Sequence, residues 1–424
     1  MRAGQLILYR NMADQDLLER MEKLFETDTL DLEESSELAG RLVELADTYG
    51  LEGNLWHAFL ALCLADHENP FSTACEIKGQ AEGDVACLVD HDIKILMELF
   101  KKDIKTLDAD GVWEILSHYR QPSGSGKVFN RRVRNRIMEL SGALEQAESV
   151  EEFKNCVTGF YKEFGVGKFG LNKAFRVVQK DEKVQIEPIT NVEHVYLDDL
   201  IGYESQKRKL IENTEAFIEG KAANNCLLFG DSGTGKSSSI KAILNTYYER
   251  GLRMIEIYKH QFQCLSDVID QVKDRNYKFI IYMDDLSFEE SELEYKYLKA
   301  IIEGGLGKRP KNVLIYATSN RRHLILEKFS DKRELDDELH MNDTVQEKLS
   351  LAARFGVTIY YGVPDKSEFQ NIVLELAKKR GVDMPEEKLL LLANQWELNH
   401  GGMSGRSAEQ FIVWLMGRMD TATN

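Results

Sequence analysis

Eight consecutive residues, Gly230-Asp-Ser-Gly-Thr-Gly-Lys-Ser237, constrain the fold more than any other feature of the chain. They match the pattern G-x-x-x-x-G-K-[ST] at every position. An apolar run at 226–229 precedes them, and a helical pattern over 238–248 follows. Glycines let the backbone curl so that successive N–H groups point inward, and the following helix adds the positive end of its dipole. The stretch is therefore predicted to be a phosphate-binding loop, the alternative being a glycine-rich turn without a ligand.

This loop predicts a nucleotide site for ATP with Mg²⁺. We expect Lys236 to reach the β- and γ-phosphates and the Ser237 hydroxyl to bind Mg²⁺. The predicted nucleotide-binding residues of the loop are Gly230, Asp231, Ser232, Gly233, Thr234, Gly235, Lys236, Ser237 and Ser238. A second glycine-rich stretch, 124–127, lacks the first glycine, the Ser or Thr after its lysine and a preceding apolar run. We interpret it as a linker.

Two carboxylates follow another apolar run, 279–283. A carboxylate at the end of a strand beside a phosphate-binding loop holds Mg²⁺, usually through water, and we assign this role to Asp284. The next carboxylate, Asp285, is placed to polarise an attacking water. The alternative is a pair of aspartates that caps the next helix.

The alternation of short apolar runs with helical patterns from about residue 224 predicts an α/β core. Five strands separated by helices favour a parallel five-stranded sheet covered on both faces. The expected strands lie at 226–229, 254–258, 279–283, 313–317 and 357–361. After Pro364 the patterns are helical only: 366–380 with Asp365 as its cap, a segment that opens at Pro385, and one from about 404 to 419. They predict a C-terminal helical lid.

Over residues 12–120, apolar residues recur at helical spacing without a fixed repeat period. This pattern predicts consecutive helices that form an irregular all-helical domain. Residues 1–120 contain 11 Lys and Arg against 25 Asp and Glu, so they carry −14 of the net charge of −17. Such acidity disfavours non-specific nucleic-acid binding there, and its simplest interpretation is a solvated face. The expected domains are 1–120, a linker and basic connecting helical segment at 121–194, the nucleotide-binding core at 195–363 and the lid at 364–424.

The connecting segment contains a basic cluster, Lys127–Arg136, with Arg131, Arg132 and Arg134 between its ends. If nucleic acid or an acidic protein surface binds to the chain, this cluster is the docking patch, although we favour a structural interpretation of its charges. The alternatives are a solvated helical face or contact with the acidic front of the same chain.

Six cysteines are scattered without a C-x-x-C pair or metal-ligand spacing, as is typical of a reducing compartment. The apolar stretch at the beginning is too short for a signal peptide, and no run approaches the ~18 residues of a membrane span. We expect a cytoplasmic protein without a membrane partner.

The chain resembles the AAA+ ATPase superfamily from about residue 195 to 424, and within it a group of bacterial AAA+ ATP-binding proteins. The segments that carry this resemblance stand in the family's order: Asp199-Leu-Ile-Gly-Tyr203, the loop at 230–237, Asp285-Leu-Ser-Phe, Val313-Leu-Ile-Tyr-Ala-Thr-Ser-Asn320-Arg-Arg, Lys348-Leu-Ser-Leu-Ala-Ala-Arg354-Phe-Gly and Ser404-Gly-Arg406-Ser.

The resemblance implies roles for five further residues. Ile201 and Gly202 would pack on adenine. Asn320, with Thr318 and Ser319 as alternatives, would be the sensor 1 residue that contacts the γ-phosphate and the water. Arg354 would be an arginine finger that completes a neighbouring subunit's site, which implies a homo-oligomer. Arg406 would be the sensor 2 residue that couples the lid to the nucleotide. The energy of ATP hydrolysis would then remodel an unidentified protein or nucleoprotein partner.

Two departures from the family pattern matter. The usual catalytic glutamate is Asp285 here, one methylene shorter, so turnover is expected to be slow. The segment after the second predicted strand, Tyr258-Lys-His-Gln-Phe-Gln, lacks the glycine of an unfoldase pore loop, which argues against threading of substrates. The alternatives are a nucleotide-dependent binding switch that barely hydrolyses ATP, a P-loop kinase and a DNA-remodelling loader.

Overall fold

The computed structural model describes residues 2–27, 31–107, 111–121, 131–180, 183–288, 294–303, 310–320 and 351–422. The chain forms two compact units. The first comprises Met1–Lys173 with Pro188–Asn191, and the second comprises Ala174–Glu187 with Val192–Asn424. The segment 121–194, predicted as a linker and basic connecting helical segment, is divided between these two units. Its described helices belong to the first unit, and its later part adds strands to the sheet of the second.

Every described element of the first unit is helical, apart from one isolated bridge between Gly53 and Tyr119. A single helix, α3, is buried from Leu55 to Ala65 on all sides, so the other helices pack around it. Its first turn is capped by Asn54, whose side chain accepts from the N–H groups of Trp56 and His57. The α-helices of this unit are α1 (Gln15–Glu26), α2 (Leu32–Tyr49), α3 (Leu55–Asp66), α4 (Pro70–Lys78), α5 (Asp84–Phe100), α6 (Val112–Ser117), α7 (Arg131–Glu145), α8 (Val150–Phe164) and α9 (Gly167–Leu171).

Two buried carboxylates hold the beginning of the chain against these helices. Asp92 on α5 is fully buried and accepts hydrogen bonds from the backbone N–H groups of residues 7–9, at 2.7 to 3.1 Å. Glu22 on α1 accepts from the N–H of Ala3 at 2.9 Å. Burial raises the pKa of Glu22, and this backbone hydrogen bond opposes the rise. The beginning of the chain is therefore part of the core of this unit.

The described part of the basic cluster, from Arg131 onward, begins α7, whereas Lys127 lies outside the described residues. Arg134 lies 3.5 Å from the carboxylate of Glu52, and the guanidinium of Arg136 lies 4.2 Å from the ring centre of Phe164. These contacts within the unit support the interpretation of the cluster as a face used by its own chain.

The second unit is built on a seven-stranded sheet with the order β2-β1-β4-β5-β6-β3-β7. The described pairings β1–β4, β4–β5, β5–β6, β6–β3 and β3–β7 are all parallel. The strands are β1 (Ala174–Lys180), β2 (Lys183–Pro188), β3 (Cys226–Gly230), β4 (Leu252–Glu256), β5 (Lys278–Met283), β6 (Val313–Ser319) and β7 (Val357–Tyr361). Among the described residues before β7, the α-helices include α10 (Glu204–Ile218), α11 (Lys236–Tyr247), α12 (Leu265–Val272) and α13 (Glu294–Glu303).

The expected number of five strands was wrong. The five apolar runs do form β3 to β7, but β1 and β2 extend the sheet beyond β4. Both mix charged and apolar residues, because one side of this end of the sheet is exposed: Phe175 and Val177 are buried, whereas Arg176 between them is exposed. A search for continuous apolar runs therefore misses them.

The register of the parallel strands brings three strand ends to one edge of the sheet. Phe229 on β3 is paired with Ser319 on β6, and Met283 on β5 is paired with Ala317. The phosphate-binding loop, the acidic pair and the end of β6 consequently emerge side by side. The carboxyl edge of a parallel sheet is where ligands bind in folds of this kind.

Three helices follow β7, at the positions expected from the sequence: α14 (Lys366–Lys379), α15 (Glu386–Asn399) and α16 (Gly405–Ala422). Asp365 caps α14 by accepting from the N–H of Glu368 at 2.8 Å, as predicted. The helices share a small core of their own, against which Ile201 packs. Their function as a lid stays a prediction. In the described part of the chain, no helix combines the length and the hydrophobicity that crossing a bilayer requires.

We predict that Asp92→Ala lowers the free energy of unfolding by about 3 kcal/mol or more, because three backbone N–H groups lose their fully buried, charged acceptor. Urea denaturation followed by circular dichroism measures the change. Asp90→Ala is the matched control, since Asp90 lies on the same helix but makes a half-exposed ion pair with Lys154 at 2.8 Å, worth about 1 kcal/mol at most. Equal unfolding midpoints for the two variants would contradict the role given to Asp92.

Candidate functional site

The phosphate-binding loop joins the end of β3 to the beginning of α11, as the motif predicts. Its glycines Gly230, Gly233 and Gly235 have φ angles of 133°, 76° and 91°, in the region that side chains disfavour. At Gly230 a Cβ atom would also lie 2.1 Å from the carbonyl oxygen of Tyr361 on β7. The loop therefore requires glycine at this position for two independent reasons, its backbone conformation and its contact with β7.

Lys236 is the first residue of α11, and its side chain is buried beneath the loop with 5% of the residue exposed. Its Nζ donates to the carbonyl oxygens of Gly230 at 3.1 Å and Asp231 at 2.5 Å. Burial lowers the pKa of Lys236, and the carboxylates of Asp231, Asp285 and Asp284 oppose this effect. An ammonium group held among carbonyl groups and carboxylates is suited to bind a phosphate as a point charge.

Ser237 and Asp284 meet below the loop, where the hydroxyl Oγ donates to Asp284 Oδ1 at 2.7 Å. Burial would raise the pKa of Asp284, but the hydrogen bonds from the Thr318 and Ser237 hydroxyls outweigh this effect and lower the pKa. Asp284 is thus held as a carboxylate. A hydroxyl and a carboxylate are the hard oxygen donors that Mg²⁺ takes beside phosphate oxygens and water, so the donor set fits this ion. Among the described residues, no group of three or more His, Cys, Asp or Glu side chains could hold a metal.

The end of β6 contacts both acidic residues. Asn320 Nδ2 donates to Asp285 Oδ1 at 2.8 Å. The Thr318 hydroxyl donates to Asp284 Oδ1 at 2.6 Å and accepts from the backbone N–H of Asp285 at 2.9 Å. Asp285 has a positive φ of 49°, a conformation that aspartate adopts more readily than most residues. The structure therefore brings together Lys236, Ser237, Asp284, Asp285 and Asn320.

A cavity of about 800 Å³ opens above these residues. One end is polar and consists of the loop from Ser232 to Ser238 with Asp284, Asp285 and Asn320. Five apolar side chains also line the cavity, and they precede the loop in sequence or belong to α14: Val195, Leu200, Ile201, Ile372 and Leu376. Charged residues of the same segments, among them Asp199, Lys379 and Arg380, line it as well. Polar groups for phosphates and apolar side chains for a base are the two kinds of contact that a nucleotide requires.

The predicted residues differ in their relation to this cavity. Ile201 lines it, whereas Gly202, with a φ of 80°, lies in the adjoining turn. Arg406 lines it too, and its backbone N–H donates to the carbonyl of Gly233 at 3.2 Å. Arg354 lies three residues before β7 and is not among the residues that line the cavity. Of the segment from Lys348 that carries it, the residues before 351 lie outside the described chain, as do Arg321 and Arg322 after Asn320.

Sequence reasoning missed several residues of the site. Tyr361, Lys207 and Lys379 line the cavity. Lys379 on α14 donates to the carbonyl oxygen of Asp198, and Lys207 on α10 donates to that of Leu200 at 2.7 Å. Both lysines therefore bind the backbone of residues 198–200, which precede the phosphate-binding loop in sequence. No local motif marks them, because their partners lie in a different element of the fold.

Comparison with known proteins assigns the chain to a family. Residues 171–419 match the family model described as "Protein of unknown function (DUF815)". The chain belongs to this family. The matched region of this DUF815 member contains the whole sheet and every residue of the site described above.

Two solved structures of RuvB from Thermotoga maritima are also similar to the chain. A RuvB mutant is 16% identical, with a TM-score of 0.40 over 54% of this chain and 68% of that one. A structure titled RuvB Holliday junction branch migration motor is 16% identical, with a TM-score of 0.37 over 55% of this chain and 67% of that one. Similarity at this level supports no conclusion about activity or partners.

We predict that Gly230→Ala destabilises the second unit by more than about 3 kcal/mol, because the new methyl group would meet the Tyr361 carbonyl in addition to the backbone strain. Gly220→Ala is the matched control, since Gly220 also has a positive φ, 74°, but a Cβ atom added there would have nothing within 4 Å. It should lose only about 1 kcal/mol. Thermal unfolding monitored by calorimetry measures both, and equal losses would contradict the contact.

Proposed function

We propose that the chain binds ATP with Mg²⁺ and hydrolyses it to ADP and phosphate, as an ATPase of the AAA+ type. The observation that carries this proposal is the meeting of three elements at one edge of the sheet. Ser237 from the phosphate-binding loop contacts Asp284 at 2.7 Å, and Asn320 contacts the neighbouring Asp285 at 2.8 Å. A turn without a ligand would not need a buried lysine, a hydroxyl–carboxylate pair and a second carboxylate beside it.

The backbone N–H groups of the loop and Lys236 would bind the β- and γ-phosphates. Ser237 and Asp284 would hold Mg²⁺, which supplies positive charge to the phosphate oxygens. Asp285 would accept a hydrogen bond from a water molecule and aim its oxygen at the γ-phosphorus. A bond forms between that oxygen and phosphorus while the bond to the β–γ bridging oxygen breaks. ADP takes the electron pair of the broken bond. The proton of the water moves to Asp285 and from there to the released phosphate.

Lys236 and Asn320 would stabilise the charge that develops on the transferring group. Asn320 already donates to one oxygen of Asp285, which fixes the direction of that carboxylate. Arg406 lines the cavity from α16, so it is our candidate for coupling the three C-terminal helices to the nucleotide. Binding energy would then drive movement of these helices, with an unidentified protein as the remodelled partner.

Our proposal for the assembly state rests on Arg354. It stands in the turn before β7 and outside the cavity of its own chain, which agrees with a role in the site of a neighbouring copy. We propose that the active form is a homo-oligomer in which Arg354 completes the adjacent site. Specific activity that rises with protein concentration would support this arrangement, and a monomer with constant activity would exclude it.

A nucleotide-dependent switch with slow hydrolysis is the second candidate function. Asp285 is shorter than the usual glutamate and is held by Asn320, so its reach toward a water is limited. Phosphate release under multiple-turnover conditions distinguishes a switch from an ATPase.

Lys236→Ala should weaken ATP binding at least tenfold, because a charge-assisted phosphate contact contributes ~1.5–3 kcal/mol. Isothermal titration with ATP and Mg²⁺ measures the affinity. Lys221→Ala is the control, since Lys221 forms an exposed ion pair with Glu219 and does not line the cavity. Unchanged affinity in the Lys236 variant would refute the assignment of the loop.

Substitution of Asp284 and of Asp285 should affect different steps, the first ATP binding with Mg²⁺ and the second turnover. Asp284→Asn should weaken the Mg²⁺-dependent part of ATP binding, because the metal loses a charged ligand. Asp285→Asn should leave ATP affinity within about twofold and slow turnover at least tenfold, since it removes a contact to water only. Calorimetry and a phosphate-release assay measure the two quantities. Equal loss of affinity in both variants would show that the roles are wrongly divided.

A further inference from the structure

Thr318, the penultimate residue of β6, is bonded to three consecutive residues of the acidic turn. Its hydroxyl donates to Asp284 Oδ1 at 2.6 Å and accepts from the N–H of Asp285 at 2.9 Å. Its carbonyl oxygen accepts from the N–H of Leu286 at 2.7 Å. Only 2% of Thr318 is exposed, yet it lines the cavity. Residue 318 thus contacts the turn through both its side chain and its backbone.

The chemistry of threonine explains how one side chain serves two partners. A hydroxyl is a donor and an acceptor at once, so it can donate to a carboxylate while accepting from an N–H. The branched Cβ restricts χ1 and keeps the hydroxyl in one direction. The pairing of Met283 with Ala317 places the residues after them side by side, which brings Thr318 next to Asp284.

We propose that Thr318 is a positioning residue that sets the metal-binding carboxylate of Asp284 and the water-orienting carboxylate of Asp285 in one fixed arrangement. This inference rests on the proposed function of the site. Asp284 Oδ1 accepts from both Ser237 and Thr318. When the Ser237 hydroxyl binds the metal instead, the bond from Thr318 still fixes the side chain of Asp284.

Thr318 also positions the second carboxylate, because its hydroxyl accepts a hydrogen bond from the backbone N–H of Asp285. Asp285 adopts a φ of 49°, a conformation that the neighbouring hydrogen bonds must maintain. The N–H of Asp285 is held by the Thr318 hydroxyl, and its side chain by Asn320. Removal of the hydroxyl would leave the N–H of Asp285 without this acceptor and release the turn that aims Asp285.

A matched control exists elsewhere in the same unit. Thr214 on α10 is fully buried, and its hydroxyl donates to the carbonyl of Leu210 at 2.8 Å and bonds to the Tyr316 hydroxyl at 2.9 Å. It does not line the cavity. Thr214→Val therefore removes a buried threonine hydroxyl with two partners but leaves the acidic turn intact.

The test compares the full-length chain with Thr318→Val, Thr318→Ser and Thr214→Val. Calorimetry measures ATP affinity in EDTA and as a function of Mg²⁺ concentration, phosphate release measures kcat, and thermal unfolding measures stability. In Thr318→Val we expect ATP affinity in EDTA within twofold of the unmodified chain. The Mg²⁺ concentration for half-maximal binding should rise about tenfold, and kcat should fall about tenfold. Each factor corresponds to about 1.4 kcal/mol. Thr318→Ser should restore both, and Thr214→Val should change stability only.

The outcomes are distinguishable. Unchanged Mg²⁺ dependence and kcat in Thr318→Val would overturn the positioning role while the proposed ATPase stands. The same holds for failure of Thr318→Ser to restore them, because the methyl group rather than the hydroxyl would then matter. An unmodified chain that neither binds nor hydrolyses ATP would refute the proposed function and this inference with it. If Thr318→Val does not fold, Thr318→Ala carries the same test without the extra methyl group.

Discussion

The site depends on the position of β3 between β6 and β7 in a parallel sheet. This arrangement places the phosphate-binding loop between two other strand ends, and both hold it. On one side the N–H of Asp231 donates to the carbonyl of Tyr361 at 3.0 Å, and the N–H of Val363 donates to Asp231 Oδ2 at 3.1 Å. On the other side Ser237 contacts the carboxylate that Thr318 holds. The conformation of the loop is therefore set by tertiary contacts as well as by its glycines.

Much of this could be predicted from the sequence, because the information is local. The loop motif fixes a strand, a turn and a helix together, and continuous apolar runs mark strands that are buried on both faces. Asp365 and Glu368 likewise mark a helix start through a contact between near neighbours. The polar strands β1 and β2 escaped prediction because a partly exposed strand has no such run.

Contacts between distant segments were beyond the reach of sequence patterns. Thr318 meets the acidic turn across 33 residues, and Lys379 meets the segment before the loop across about 180. Asp92 holds residues 7–9 across more than 80. A threonine at a strand end, a lysine near a helix end and an aspartate within a helix are all common on surfaces. Only the fold shows that these three side chains have fixed partners.

The AAA+ resemblance implies a glutamate at position 285, where this chain has an aspartate. The residue lies in a turn with positive φ, where the backbone N–H is bonded to Thr318 and the side chain to Asn320. Aspartate tolerates this conformation better than longer residues, so the shorter side chain and the tight turn suit each other. In the proposed ATPase, the same bonds would limit the movement of Asp285 toward a water molecule and would thereby slow hydrolysis.

The most direct test of the account is a crystal structure of the chain with a non-hydrolysable ATP analogue and Mg²⁺. We predict the phosphates against the backbone of residues 232–236 and the base among Val195, Ile201 and Ile372. The Ser237 hydroxyl, which donates to Asp284 here, should bind the metal, and Thr318 should keep its bond to Asp284. An analogue bound outside this cavity, or a metal ion held without Ser237 and Asp284, would contradict the central claim.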